Sequence, residues 1–157
     1  MNNLLNVKNL SLKDRSTGNR ILNNISFGLN EKEILGVVGE SGSGKTLLSQ
    51  AIVNWLPENL EISSGHIDFL GKKMNEMSEN ELEKNIRGRE IAYIGPNAIN
   101  SLDPTYPVGH QLLEKAISID KENTSKEILK RKVISLLDDV LIPCLLYTSP
   151  SPRDGLL

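Results

Sequence analysis

Apolar positions change their spacing several times along the chain, and the changes mark out its elements. Leu4, Val7, Leu10 and Leu12 are set among polar residues and predict a strand over 4–12. Residues 14–20, DRSTGNR, carry the Asp, Ser and Gly of a turn. Ile25 and Phe27 alternate with polar neighbours and predict a second strand over 21–29. The run Ile34-Leu35-Gly36-Val37-Val38 is apolar throughout and reads as a buried strand. The period then lengthens. Leu47, Leu48, Ala51, Ile52 and Trp55 recur at helical spacing and predict a helix over 44–55, stopped by Pro57.

A short strand is expected over 66–70, between Gly65 and Gly71. Ser78 and Glu81 have capping-box spacing ahead of a helix over 78–87, with Leu82 and Ile86 on one face. EIAYI, residues 90–94, is the next expected strand. Residues 95–107 form a loop with three prolines, long for a plain connection and therefore a functional candidate. Val108, Leu112 and Ala116 predict a helix over 108–119. Thr124 and Glu127 suggest a second capping box, opening a helix with Ile128, Leu129, Val133, Leu136, Leu137 and Val140 along one side.

One stretch carries chemistry. GESGSGKT, comprising Gly39, Glu40, Ser41, Gly42, Ser43, Gly44, Lys45 and Thr46, matches the phosphate-binding pattern G-x-x-x-x-G-K-[ST] between an expected strand and an expected helix. Its glycines permit a tight turn that points backbone N–H groups at phosphate oxygens. The helix start behind it adds partial positive charge. Lys45 is suited to the β- and γ-phosphates, and the Thr46 hydroxyl to Mg2+, a hard ion that prefers oxygen. Nucleotide binding is the expectation, with ATP and Mg2+ as cofactors.

Composition narrows the setting. The 157 residues suffice for one domain, and a net charge of −2 with 4% aromatics gives no basic field or stacking surface for nucleic acid. No apolar run approaches the ~20 residues that span a bilayer. Cys144 is the sole cysteine, so it has no internal disulfide partner. His66 and His110 read as ordinary polar residues. The last residues, CLLYTSPSPRDGLL over 144–157, abandon all periodicity. They resemble a translated sequencing adapter, so the expected native portion is residues 1–143, C-terminally truncated, followed by a non-native tail.

Beyond the phosphate motif, the chain resembles a family. LLNVKNLSL, ILNNISFGLNEKEI, GESGSGKT, SSGHIDFLGKKM, IRGREIAYI and NSLDPTYPVGHQLLE look like the ATPase subunit of an ABC transporter, in the subgroup serving oligopeptide, dipeptide and nickel importers. The resemblance implies an α/β fold: a P-loop NTPase core with an antiparallel N-terminal β subdomain. It implies membrane-spanning permease subunits, a second ATPase subunit and an extracytoplasmic solute-binding protein as partners, at the cytoplasmic side of the membrane. It implies a permease-docking surface from Asn100 to Gln111, with Asn100, Leu102, Asp103, Pro104 and Tyr106 as candidates.

Two departures accompany it. Where the family places an adenine-stacking aromatic, this chain has Asp14, with Arg15 or Arg20 as weaker cationic substitutes. Where the family places a coupling glutamine, it has Pro96, with Asn97 adjacent and Gln111 too distant in sequence to be equivalent. The family's signature motif, catalytic glutamate and switch histidine would follow residue 143, so no catalytic residue is expected within the chain. The importer reading is weighed against a non-transport ABC ATPase of DNA repair or translation, and against a non-hydrolysing regulatory module.

Overall fold

A computed structural model describes residues 3–96, 101–120 and 122–141. The chain forms two compact units that divide between Tyr93 and Ile94. The first contains β1 (Asn3–Asp14), β2 (Arg20–Asn30), α1 (Lys45–Ile52), β3 (Leu60–Phe69), β4 (Lys72–Lys73), a 3-10 turn at Met74–Glu76 and α2 (Glu79–Asn85). The second contains α3 (Val108–Ile119) and α4 (Lys126–Asp139).

β1 is the centre of an antiparallel sheet of order β2-β1-β3-β4. Its apolar positions switch parity: Leu5 and Val7 are odd, Leu10 and Leu12 even, yet all four are buried. A strand of period two would send one pair to each face. A bulge between Val7 and Leu10 inserts the residue that realigns them, with Asn9 at φ 51°. The Asn9 N–H donates to Ser26 Oγ at 2.8 Å. Opposite it, Gly65 has φ 86°, and a Cβ there would lie 2.5 Å from Lys8 O and closer still to Asn9 O. Only glycine lets the strands approach this closely.

The covered face of the sheet packs on Leu48 and Ala51 of α1 and on Leu82 and Ile86 at the end of α2. The Ser78 capping box forms as the sequence implies. Arg87 then ties the layers together. Its Nε donates to Val53 O at 2.9 Å, another guanidinium nitrogen donates to Asn54 O, and the group pairs with Glu79. It thereby serves carbonyls just beyond the end of α1, which a helix cannot satisfy from within.

Several expectations are corrected. The run Ile34–Val38 forms no strand: Ile34 is 98% and Val38 93% exposed. EIAYI is reduced to one parallel bridge, Arg87 to Ile91. Both runs lack ladder partners among the described residues, and a strand without backbone partners has no hydrogen bonds to hold it. α1 ends at Ile52, before Trp55, because Asn54 turns into the left-handed region at φ 50°. Trp55 is half-exposed and meets Tyr93 edge to face at 5.9 Å. The third strand is longer than expected and starts at Leu60.

In the second unit α3 packs on α4, and the buried side chains are Leu113, Leu129, Val133 and Leu137. The expected apolar side of α4 is narrower than the sequence suggests, since Ile128, Leu136 and Val140 are exposed. Thr124 does not cap α4. Its N–H donates to Asp120 Oδ2 at 2.6 Å, closing the preceding turn, and Ser125 is the N-cap residue.

Candidate nucleotide site and docking loop

The phosphate motif sits where the chain passes from an irregular segment into α1. Gly42 and Gly44 have φ 82° and 92°, both in the left-handed region. Gly44 is the N-cap of α1, and a Cβ there would meet Leu22 Cδ2 at 2.5 Å. The loop is therefore seated against Leu22 of β2, and the φ of 92° at Gly44 is what favours glycine there. The Leu48 N–H is bonded to Gly44 O at 2.8 Å, and the first-turn N–H groups before it have no intrahelical acceptor.

Lys45 folds back over this loop. Its ammonium donates to Gly39 O at 2.9 Å, Glu40 O at 2.6 Å and Ser43 Oγ at 3.3 Å. Ser43 N–H closes the turn onto Glu40 O at 3.2 Å. Beside the loop is a concavity of about 330 Å³ lined by Ser41, Gly42, Gly44, Lys45, Thr46 and Leu47. Oriented amides, a helix start and one ammonium suit a chain of phosphates. Among the described residues the lining includes two exposed side-chain hydroxyls, at Ser41 and Thr46, and no carboxylate. Among the described residues no group of three His, Cys, Asp or Glu is placed to hold a metal. Mg2+ here would draw on the Thr46 oxygen, phosphate oxygens and water, a set it accepts.

Asp14 has a defined task at the β1–β2 turn. One carboxylate oxygen accepts from Ser16 N–H at 2.9 Å, Ser16 Oγ at 2.5 Å and Thr17 N–H at 2.9 Å, and the other from Asn59 Nδ2 at 3.1 Å. These donors, led by the Ser16 hydroxyl, hold its carboxyl well below the usual carboxylate range. Arg15 is also engaged: Nε donates to Leu60 O at 3.3 Å and lies 3.5 Å from Glu61. Arg20 is exposed as well, and its guanidinium donates to Asn23 Oδ1 at 3.5 Å.

Pro96 is an exposed bend residue in the second unit, while Asn97 and Asn100 lie outside the described residues. Of the docking candidates, Leu102 and Pro104 are partly buried, Asp103 is exposed, and Tyr106 is 54% exposed. Tyr106 stacks on His110 with centroids 6.2 Å apart and planes 20° apart. Gln111, which the sequence marks only as the end of this segment, is the side chain that organises the loop, and that role depends on a turn that periodicity does not reveal.

These features converge with comparisons to known proteins. Residues 22–143 match the model of the ABC transporter family. The chain belongs to that family. It is 38% identical to the oligopeptide transport ATP-binding protein OppD of Bacillus subtilis over 143 residues, covering 89% of this chain and 39% of that protein. It is 36% identical to the dipeptide transport ATP-binding protein DppD of Escherichia coli over 142 residues, covering 89% and 42%. The metal-staphylopine import system ATP-binding protein CntD of Staphylococcus aureus is 36% identical over 127 residues, with 81% and 46% covered. The chain thus spans less than half the length of these curated relatives. In fold it resembles the ATP-binding cassette MJ0796, solved as a dimer in a post-hydrolysis state with ADP and Pi, at a TM-score of 0.79 and 20% identity, covering 95% of this chain and 62% of that one. The ABC cassette fold, mixed α/β with an antiparallel N-terminal sheet, is as the sequence implies.

Proposed function

We propose that this ABC-family chain is the ATP-binding part of an importer for peptides, nickel or a similar solute. The observation that carries the reading is the glycine-seated loop at Gly39–Thr46, with the Lys45 ammonium folded over it beside a concavity of about 330 Å³. The ammonium engages the terminal phosphates and gives up its carbonyl partners in exchange for charged oxygens, which bind it more strongly. Thr46 contributes one oxygen to Mg2+. The transport names of OppD, DppD and CntD support uptake as the coupled process.

In this reading the chain works at the cytoplasmic side of the membrane. No helix among the described residues is long and apolar enough to cross a bilayer. Membrane-spanning permease subunits dock at the loop through Asp103 and Tyr106, a second ATPase subunit pairs with this one, and a solute-binding protein joins through the complex. Turnover by the 157-residue chain is not expected, because among the described residues the concavity is lined by no carboxylate to orient an attacking water.

Titration of the full chain with a fluorescent ATP analogue and Mg2+ tests the site. Lys45→Ala is expected to weaken binding on the order of 10- to 100-fold, the worth of a charge-assisted contact. Equal affinity in the two proteins would sink the assignment. Docking is tested by recovery of the chain with membrane vesicles from cells that co-express permease subunits. Tyr106→Ala should reduce it. The exposed Pro96, which has no side-chain donor or acceptor, favours one other reading: a nucleotide-binding module uncoupled from transport. Nucleotide binding with no membrane recovery would select it.

A further inference from the structure

The loop ahead of α3 is closed by one side chain. Gln111 lies one turn into the helix and reaches back over it. Its Oε1 accepts from Asp103 N–H at 2.8 Å, and its Nε2 donates to Asp103 O at 2.8 Å and to Tyr106 O at 2.9 Å. Only this orientation of the amide works, because the reverse would set an oxygen against two carbonyls. Pro107, the N-cap residue of α3, makes no side-chain capping bond, and the bonds of Gln111 go to the loop before it and not to the first-turn N–H groups of the helix. The Asp103 carboxylate folds the next step by accepting from Thr105 N–H at 2.8 Å and Thr105 Oγ1 at 2.6 Å.

We propose that Gln111 is a positioning residue that holds the backbone from Asp103 to Tyr106 in its presented shape, with Tyr106 offered outward over His110. The proposal rests on the reading of this loop as a permease-docking face. A loop already ordered before contact does not lose that freedom on binding, so the clamp raises affinity without touching the partner. Gln111 is partly buried beneath an exposed rim of Asp103, Thr105 and Tyr106, as a support and not a contact residue would be. A cavity of about 770 Å³ shared by Leu102, Asp103, Tyr106, His110 and Gln111 adjoins the clamp.

Gln111→Met keeps length and helix propensity while removing all three bonds. Hydrogen exchange on the full chain, without any partner, should show the Asp103 amide exchanging on the order of tenfold faster, with α3 and α4 unchanged. Gln111→Glu sets a charged oxygen against the Asp103 and Tyr106 carbonyls and should open the loop at least as far as methionine does. Unchanged exchange at Asp103 overturns the proposal. So does an equal rise throughout α3 and α4, which would make Gln111 a general stabiliser. Docking fails separately, through unaltered membrane recovery of Tyr106→Ala, a result that leaves the exchange pattern intact. Loss of recovery in Tyr106→Ala but not in Gln111→Met would overturn the positioning role.

Discussion

Two apolar stretches of the first unit have opposite fates. In β1, Val7, Leu10 and Leu12 are fully buried, whereas in the run Ile34–Val38 the two end residues are more than nine-tenths exposed. Hydrophobicity does not separate them, since the second run is the more continuous. What separates them is the supply of partners. β1 pairs with β2 across a short turn and with β3 on its other edge, so both rows of backbone groups are satisfied. The run at 34–38 has no strand beside it among the described residues. An all-apolar run suits a strand covered on both faces, and such strands pair with distant segments. Burial here follows backbone pairing.

The contrast can be broken most sharply at the crossing of β1 and β3. Gly65→Ala would combine a left-handed backbone angle with a Cβ driven into the carbonyls of Lys8 and Asn9. The neighbours are backbone and cannot swing aside, so the expected loss is about 4 kcal/mol in denaturant unfolding. A loss below about 1 kcal/mol would show that the bulge is soft. Next in size is a matched pair. Leu12→Ala opens a cavity in the buried sheet and should cost about 2–5 kcal/mol. Val38→Ala removes exposed surface and should change stability by less than ~0.5 kcal/mol. Similar losses at both sites would mean that the 34–38 run is buried in solution.

The same contrast explains what could be read in advance. The glycine-rich turn ahead of α1 was legible because it is local: its pattern is carried by eight consecutive residues, with Gly42 and Gly44 in the left-handed region. The β1–β2 hairpin and the helices of the second unit were legible from period and turn residues. The strands at 34–38 and 90–94 were misread because their composition was judged without asking what would pair with them. The Thr124 capping box failed for a related reason. Its spacing was right, but Asp120 stood four residues upstream and took both the N–H and the hydroxyl. The roles of Gln111 and Arg87 were missed because each acts on backbone groups exposed by an irregular turn. Such turns leave no periodic trace, and a long polar side chain can serve them from several positions.

Arg87 gives a smaller test of pairing without strands. It satisfies Val53 and Asn54 carbonyls that no ladder reaches. Arg87→Ala should cost about 1–3 kcal/mol, since both acceptors lose a charged donor. Arg87→Lys should recover only part of this, because an ammonium cannot fork across two carbonyls and Glu79. Full recovery with lysine would reduce the contact to simple charge.

The smallest effect lies at the turn that lets β1 find β2. Asp14 is ionised and held by donors from Ser16, Thr17 and Asn59, so its folded-state pKa is depressed. The sign follows from linkage. A depressed carboxylate contributes fully above its unfolded value of about 3.9, and the contribution drains away as pH falls from there toward the folded value. Asp14→Asn removes this titration. The difference in Tm between wild type and variant should therefore be constant near neutrality and narrow as pH drops below about 4. Other acids with lowered values, among them Glu33 and Glu81, titrate in both proteins and cancel in the comparison. A gap that stays constant down to pH 2 would show that the turn does not depend on the charge of Asp14, and that β1 and β2 pair through their buried leucines alone.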